Sequence, residues 1–95
     1  MDPEIIREHG AQELQVLRGK MLAWKEDYFR SVPPEGGEDY LFLCQDFALE
    51  IEEYVYPYVR RMVETKHIEP SEASEFLDFC YQCVNELKEA LTQRR

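Results

Sequence analysis

Hydrophobic residues recur along this chain in steps of three and four, which is the spacing of amphipathic α-helices. The first such segment runs from Asp2 to about Ser31, with Pro3 placed at the first helical position. Its apolar positions are Ile6, Leu14, Leu17, Met21, Trp24 and Tyr28. Gly10 weakens a helix relative to alanine, so the pattern leaves open a short extra N-terminal helix that ends before Gly10.

Prolines and glycines divide the rest of the chain. Residues 32–37 contain two of each, so they end the first helix, and a second helical segment follows from about Glu38 to Lys66. Pro57 lies inside this second segment, which predicts a helix that is kinked or split there. A turn leads to Pro70 and to a third segment, Ser71 to about Gln93. The apolar stripe of that segment is Ala73, Phe76, Leu77, Cys80, Val84, Leu87 and Leu91.

The sequence predicts no β-strand, because no stretch alternates apolar and polar residues between turn signals. Three helices joined by short turns most simply run up, down and up. The predicted fold class is therefore all-α, a three-helix up-down-up bundle. A chain of 95 residues is long enough for one modest core, so we expect residues 1–95 to form a single helical domain.

The middle segment carries more apolar surface than one core face requires. On a helical wheel at about 100° per residue, the predicted core face is Tyr40, Cys44, Phe47, Ile51, Tyr54, Tyr58 and Met62, widened by Leu41, Ala48, Val55 and Val59. A second row, spaced by seven residues, lies on roughly the opposite side: Phe42, Leu49, Tyr56 and Val63. The remaining polar sector is narrow and consists of Asp46, Glu50, Glu53, Arg60 and Glu64.

The second row predicts an intermolecular interface. Exposed contiguous apolar patches with aromatic side chains are typical of partner-binding surfaces. A homodimer is the simplest partner, because symmetric dimers are the commonest oligomers. One alternative is that the helix is merely sandwiched between its neighbours. Another is that Pro57 breaks the helix, which would take Tyr56 and Val63 out of line with Phe42 and Leu49.

The charge of the chain argues against one class of partner. Eleven Lys and Arg residues against 20 Asp and Glu give a formal net charge of −9. Nucleic-acid binding needs clustered basic residues, so we expect none. No run approaches the roughly 18 apolar residues of a membrane span, and the N-terminus does not resemble a secretion signal. These features predict a cytoplasmic protein that does not bind a membrane.

Cys80-Tyr81-Gln82-Cys83 is a C-x-x-C motif. Redox proteins place this motif at a helix N-terminus after a strand, and structural zinc sites usually combine two such pairs. Here the motif is predicted well inside a helix, and the sequence has no second pair. We therefore interpret both cysteines as small core residues and expect no metal site and no cofactor. A metal- or thiol-binding protein that uses Cys80 and Cys83 is the alternative.

The acidic spacings Glu50-x-x-Glu53 and Glu72-x-x-Glu75-x-x-Asp78 resemble the paired motifs of all-α nucleotide pyrophosphohydrolases, which bind magnesium between helices. The resemblance implies a Mg-dependent hydrolase whose carboxylates converge on the ion and a phosphate. However, most of these acids fall outside the apolar stripes, and no basic residues are clearly placed to hold a phosphate.

The sequence therefore favours binding over catalysis, and we identify no catalytic residues. It predicts a small acidic helical interaction or regulatory module that binds a protein partner and self-associates.

Overall fold

The first helix begins where the sequence predicts it. In the computed structural model of the protein, which describes residues 2–93, helix α1 spans Pro3–Arg30. Asp2 is its N-cap, and the Asp2 carboxylate accepts a hydrogen bond of 2.9 Å from the backbone N–H of Glu4. This bond satisfies one of the donors that the first turn of a helix leaves unpaired.

Gly10 does not interrupt α1, so the alternative of a separate short helix before it is wrong. Gly10 is buried, and a Cβ at this position would lie 2.6 Å from the carbonyl carbon of His67 and would overlap its oxygen. Glycine is therefore required here because it lets the backbone of α1 approach the turn that contains His67.

The remaining elements follow the predicted order. A 3-10 turn at Gly37–Tyr40 precedes the middle helix. The middle helix (residues 42–64) is continuous and has three parts: α2 at Phe42–Glu50, a π-helical turn at Ile51–Val55, and α3 at Tyr56–Glu64. Helix α4 spans Pro70–Gln93 and begins at the proline, as expected. Residues 2–93 contain no strand, and none of their helices is long and apolar enough to cross a membrane.

Side-chain contacts show that α1 and the middle helix are antiparallel. Near the end of α1, the Tyr28 hydroxyl donates to the Glu50 carboxylate over 2.6 Å. Nearer its start, Glu13 accepts a hydrogen bond of 2.9 Å from the hydroxyl of Tyr58. Later residues of α1 therefore meet earlier residues of the middle helix.

Helices α1 and α4 run in the same direction. Arg7 and Glu69 form an ion pair near the start of both helices, and Lys25 contacts Glu86 at 2.6 Å further along. The predicted all-α, up-down-up three-helix bundle is confirmed, and it measures 53 by 17 by 17 Å.

Helix α4 forms the centre of the core because it packs against α1, α2 and α3. Its buried residues are Ala73, Phe76, Cys80, Cys83, Leu87 and Leu91. From the middle helix, the fully buried ring of Phe47 contacts Trp24 and Tyr28 of α1, with ring centroids 5.6 and 5.1 Å apart. Aromatic pairs of this kind add about 0.5–1.5 kcal/mol beyond the burial of their area.

The predicted kink at Pro57 is confirmed, and it lies in the turn just before the proline. The middle helix bends by 32°. The N–H of Tyr56 donates to the carbonyl oxygen of Ile51, five residues earlier. Pro57, which has no N–H to donate, then lies in the first turn of α3. The helix is therefore bent and not split.

The π turn corrects the core face predicted for the second half of the middle helix. An additional residue within one turn rotates all later residues by about 100°. Tyr54 and Tyr58, which were predicted to lie in the core face, are exposed. Val55 and Val59, which were predicted at its edge, are buried instead. Cys44 and Phe47 before the turn, Ile51 at its start and Met62 after it are buried as predicted.

Two glycines of α1 should respond to alanine in opposite directions. Gly10→Ala should lower the free energy of unfolding by about 1–3 kcal/mol, because the new methyl group overlaps the His67 carbonyl. Gly19→Ala should raise it by about 0.4–1 kcal/mol, because nothing lies within 4 Å of the added Cβ and the unfolded chain loses freedom. Urea unfolding of the two variants checks this, and equal effects would contradict the close approach at Gly10.

The register after the π turn can be tested with two neighbouring residues. Val59→Ala removes a side chain that is 1% exposed, so it should cost about 1–3 kcal/mol of stability. Tyr58→Ala removes an exposed ring and one hydrogen bond to Glu13, so it should cost less than about 1 kcal/mol. A straight helix would give the reverse order in the same urea-unfolding measurement.

Candidate functional site

The candidate site is on the solvent side of the middle helix, where two large apolar side chains are exposed. Phe42 is 55% exposed and Leu49 is 53% exposed. They are seven residues apart within one regular stretch of helix, so they lie on the same side. The fully buried Phe47 and Ile51 occupy the opposite side, which faces the core. Phe42 and Leu49 are called the apolar patch below.

The other two members of the predicted row are not in line with the apolar patch. Tyr56 and Val63 follow the π turn and are rotated by about 100° relative to Phe42 and Leu49. Val63 is half-buried and packs against the core. It lines a groove of about 630 Å³ near the start of α1 and the start of α4. Tyr56 is exposed and lies beside Pro57 and Arg60.

Two exposed tyrosines of the middle helix were not predicted as surface residues. Tyr54 is 67% exposed, and Tyr58 is also exposed while its hydroxyl bonds to Glu13. A straight helical wheel places both in the core. Pro57 was the available signal, because a proline inside a helix commonly marks a local change of helical register.

Several charged side chains of the middle helix, before and after the π turn, have no ion-pair partner within the described part of the chain. Among residues 2–93, the carboxylates of Asp46 and Glu53 and the guanidinium of Arg61 form no ion pair. Arg60 differs, because its Nε lies 3.2 Å from the Glu64 carboxylate. The surface of the middle helix therefore offers unpaired charges of both signs next to exposed apolar side chains.

The C-x-x-C motif lies in the hydrophobic core. Cys80 and Cys83 are buried and free, as is Cys44. Burial raises the pKa of the Cys80 thiol to about 12, and the neighbouring Cys83 adds to the shift. Burial also raises the pKa of Cys83. Because the thiolate is the nucleophile and the metal ligand, this environment disfavours both thiol chemistry and metal binding.

The acidic motifs do not converge. The Glu50 carboxylate accepts a hydrogen bond from the Tyr28 hydroxyl, and the Glu72 carboxylate accepts one from the backbone N–H of Glu69, so each makes a structural hydrogen bond within the bundle. The two histidines, His9 and His67, both line a shallow groove beside Glu13. Within residues 2–93, no group of three or more His, Cys, Asp or Glu side chains is arranged to hold a metal ion.

Comparisons with protein families, with curated proteins and with solved structures find no match for this chain.

The buried thiols should make the protein less stable at alkaline pH. Unfolded cysteine releases its proton near pH 8.5, whereas folded Cys80 keeps it until about pH 12. Between these values the unfolded state binds fewer protons, so the free energy of unfolding should fall as pH rises. Urea unfolding from pH 8 to pH 11 measures this fall.

The Cys80→Ala variant is the control, because it should lose less stability over the same pH range.

A thiol reagent at pH 8 should label none of the three cysteines in the folded protein and all three in denaturant. Rapid labelling of the folded protein would contradict the burial of the motif.

Proposed function

We propose that this protein is a helical interaction module that self-associates through the apolar patch on its middle helix. The observation that carries the proposal is the exposure of Phe42 and Leu49 on the side opposite the core. Complete burial of a Leu or Phe side chain contributes about 1.5–3 kcal/mol. Two side chains that are half-exposed therefore leave a considerable part of that free energy available to a partner.

The dimensions of the bundle suit a contact between two copies. One long face measures 53 by 17 Å, a projected area of about 900 Å². A standard protein interface buries about 800 Å² on each partner. A face-to-face dimer therefore has enough surface, although the apolar patch covers only part of it. We expect an association that depends on concentration.

A binding role agrees better with the side-chain arrangement than either alternative. The thiols of Cys80 and Cys83 face the core, and the carboxylates of the magnesium-type motifs are dispersed or engaged in hydrogen bonds. No observation favours a thiol protein or a nucleotide hydrolase over the interaction module.

Two leucines of similar exposure on different helices provide the test. Leu49→Asp should shift the protein toward the monomer mass in sedimentation, because it places a charge within the apolar patch. Leu22 of α1 is 47% exposed, so Leu22→Asp is the matched control and should leave the mass unchanged. Both variants should keep their helical circular dichroism, because neither side chain is in the core.

The mass of the wild-type protein should rise toward that of a dimer as its concentration is raised. Equal masses for wild type and Leu49→Asp would contradict the proposal. If Leu22→Asp lowers the sedimentation mass as much as Leu49→Asp does, net charge and not the apolar patch controls association.

A further inference from the structure

The two ends of the middle helix and its flanking turns differ in charge. Residues 38–56 contain six acidic residues and no Lys or Arg. Residues 57–68 contain Arg60, Arg61 and Lys66 against the single acid Glu64. This stretch therefore runs from a strongly acidic half to a basic end.

Charges from both ends lie on the same side as the apolar patch. Phe42, Asp46, Leu49 and Glu53 follow one another in steps of three and four. Arg61 comes eight residues after Glu53, and because the π turn adds one residue this spacing equals two helical turns. Burial and the neighbouring Glu50 raise the pKa of Tyr28 of α1 most, and Asp46 is close enough to add to the shift. Arg61 lines a groove with His9 and Glu13 of α1. Both charges therefore lie on the α1 side of the surface.

We infer that the partner of this surface is a second copy of the chain whose middle helix runs antiparallel to the first; this inference rests on the proposed function. In a two-fold antiparallel pair, the α1 side of one copy meets the α1 side of the other. Four of the six acids then face the basic end of the other copy, whereas a parallel pair would place six acids against six acids.

The unpaired charges fix the register of the pair. Asp46 of one copy lies beside Arg61 of the other when the two-fold axis passes between positions 53 and 54. In this register Leu49 lies opposite Tyr58 of the second copy. The exposed ring of Tyr54 is then next to the axis. The apolar patch, the exposed tyrosines and the unpaired charges therefore take part in a single contact.

Site-directed cross-linking tests the direction of the helices. Glu53→Cys places a thiol close to the two-fold axis, so two copies should form an intermolecular disulfide under a mild oxidant. Asp46→Cys removes the same charge but places its two thiols about 22 Å apart along the axis, at 1.5 Å per residue, so it should not cross-link. Wild type is the background control because its three cysteines are buried.

Cross-linking of both variants would show a parallel pair and overturn the inference. Cross-linking of neither variant, while Leu49→Asp still lowers the mass, would overturn the antiparallel register and leave the proposed function intact. A wild type that is monomeric at every concentration would overturn the proposed function itself.

Charge reversal provides an independent test, because net charge and the proposed ion pair predict opposite changes in the dimer Kd. Asp46→Arg changes the net charge from −9 to −7, which lowers the general repulsion between copies. It nevertheless brings two arginines together at each of the two symmetric contacts, so the dimer Kd should rise roughly five-fold. Arg61→Asp should weaken the dimer similarly, and the double variant should restore the Kd to within about two-fold. A tighter dimer for Asp46→Arg, or no recovery in the double variant, would overturn the inference.

Discussion

Pro57 has no backbone N–H, and in a regular α-helix its ring would clash with the carbonyl group four residues earlier. The middle helix must nevertheless keep an apolar face against the rest of the bundle along its whole length. A π turn ahead of the proline meets both requirements, because Tyr56 donates its N–H to Ile51 and the turn widens. All later positions of the helix are rotated as a result. Val59 therefore enters the core, Met62 remains in it as predicted, and Tyr58 lies outside it.

The same rotation determines what the middle helix presents to solvent. Phe42 and Leu49 precede the turn and remain opposite the core, whereas Tyr56 and Val63 leave their line. Arg61 is brought to the same side as Asp46 and Glu53. The predicted row of four apolar residues is thus replaced by a patch of two, and charges of both signs lie on the same side of the helix. The charges matter for the proposed interface because their positions favour one orientation of the two helices, which apolar contact alone does not do.

The core and the surface of this protein have different chemistry for a physical reason. All three cysteines are in the core, where burial raises the pKa of their thiols. The acidic side chains lie outside it, and some of them, such as Glu13 and Glu50, accept hydrogen bonds from tyrosines of a neighbouring helix. A motif that suggests metal or redox chemistry in the sequence is therefore part of the packing of α4. The apolar patch, by contrast, lies on the solvent side of the middle helix.

Local sequence determined the helices themselves. The apolar spacing, the Asp2 cap and the prolines and glycines of the connections are short-range signals, and they predicted three helices and a kink near Pro57. Tertiary structure decided what depends on the approach of distant segments. Gly10 is a packing position because the His67 carbonyl lies against it, although glycine within a helix by itself suggests a break. The π turn allows Val55 and Val59 to be buried in the core. A helical wheel of constant period cannot show this, because it has no place for the additional residue of the turn. The exposed patch of Phe42 and Leu49 was visible in the sequence, but its limits and its neighbouring charges were set by packing.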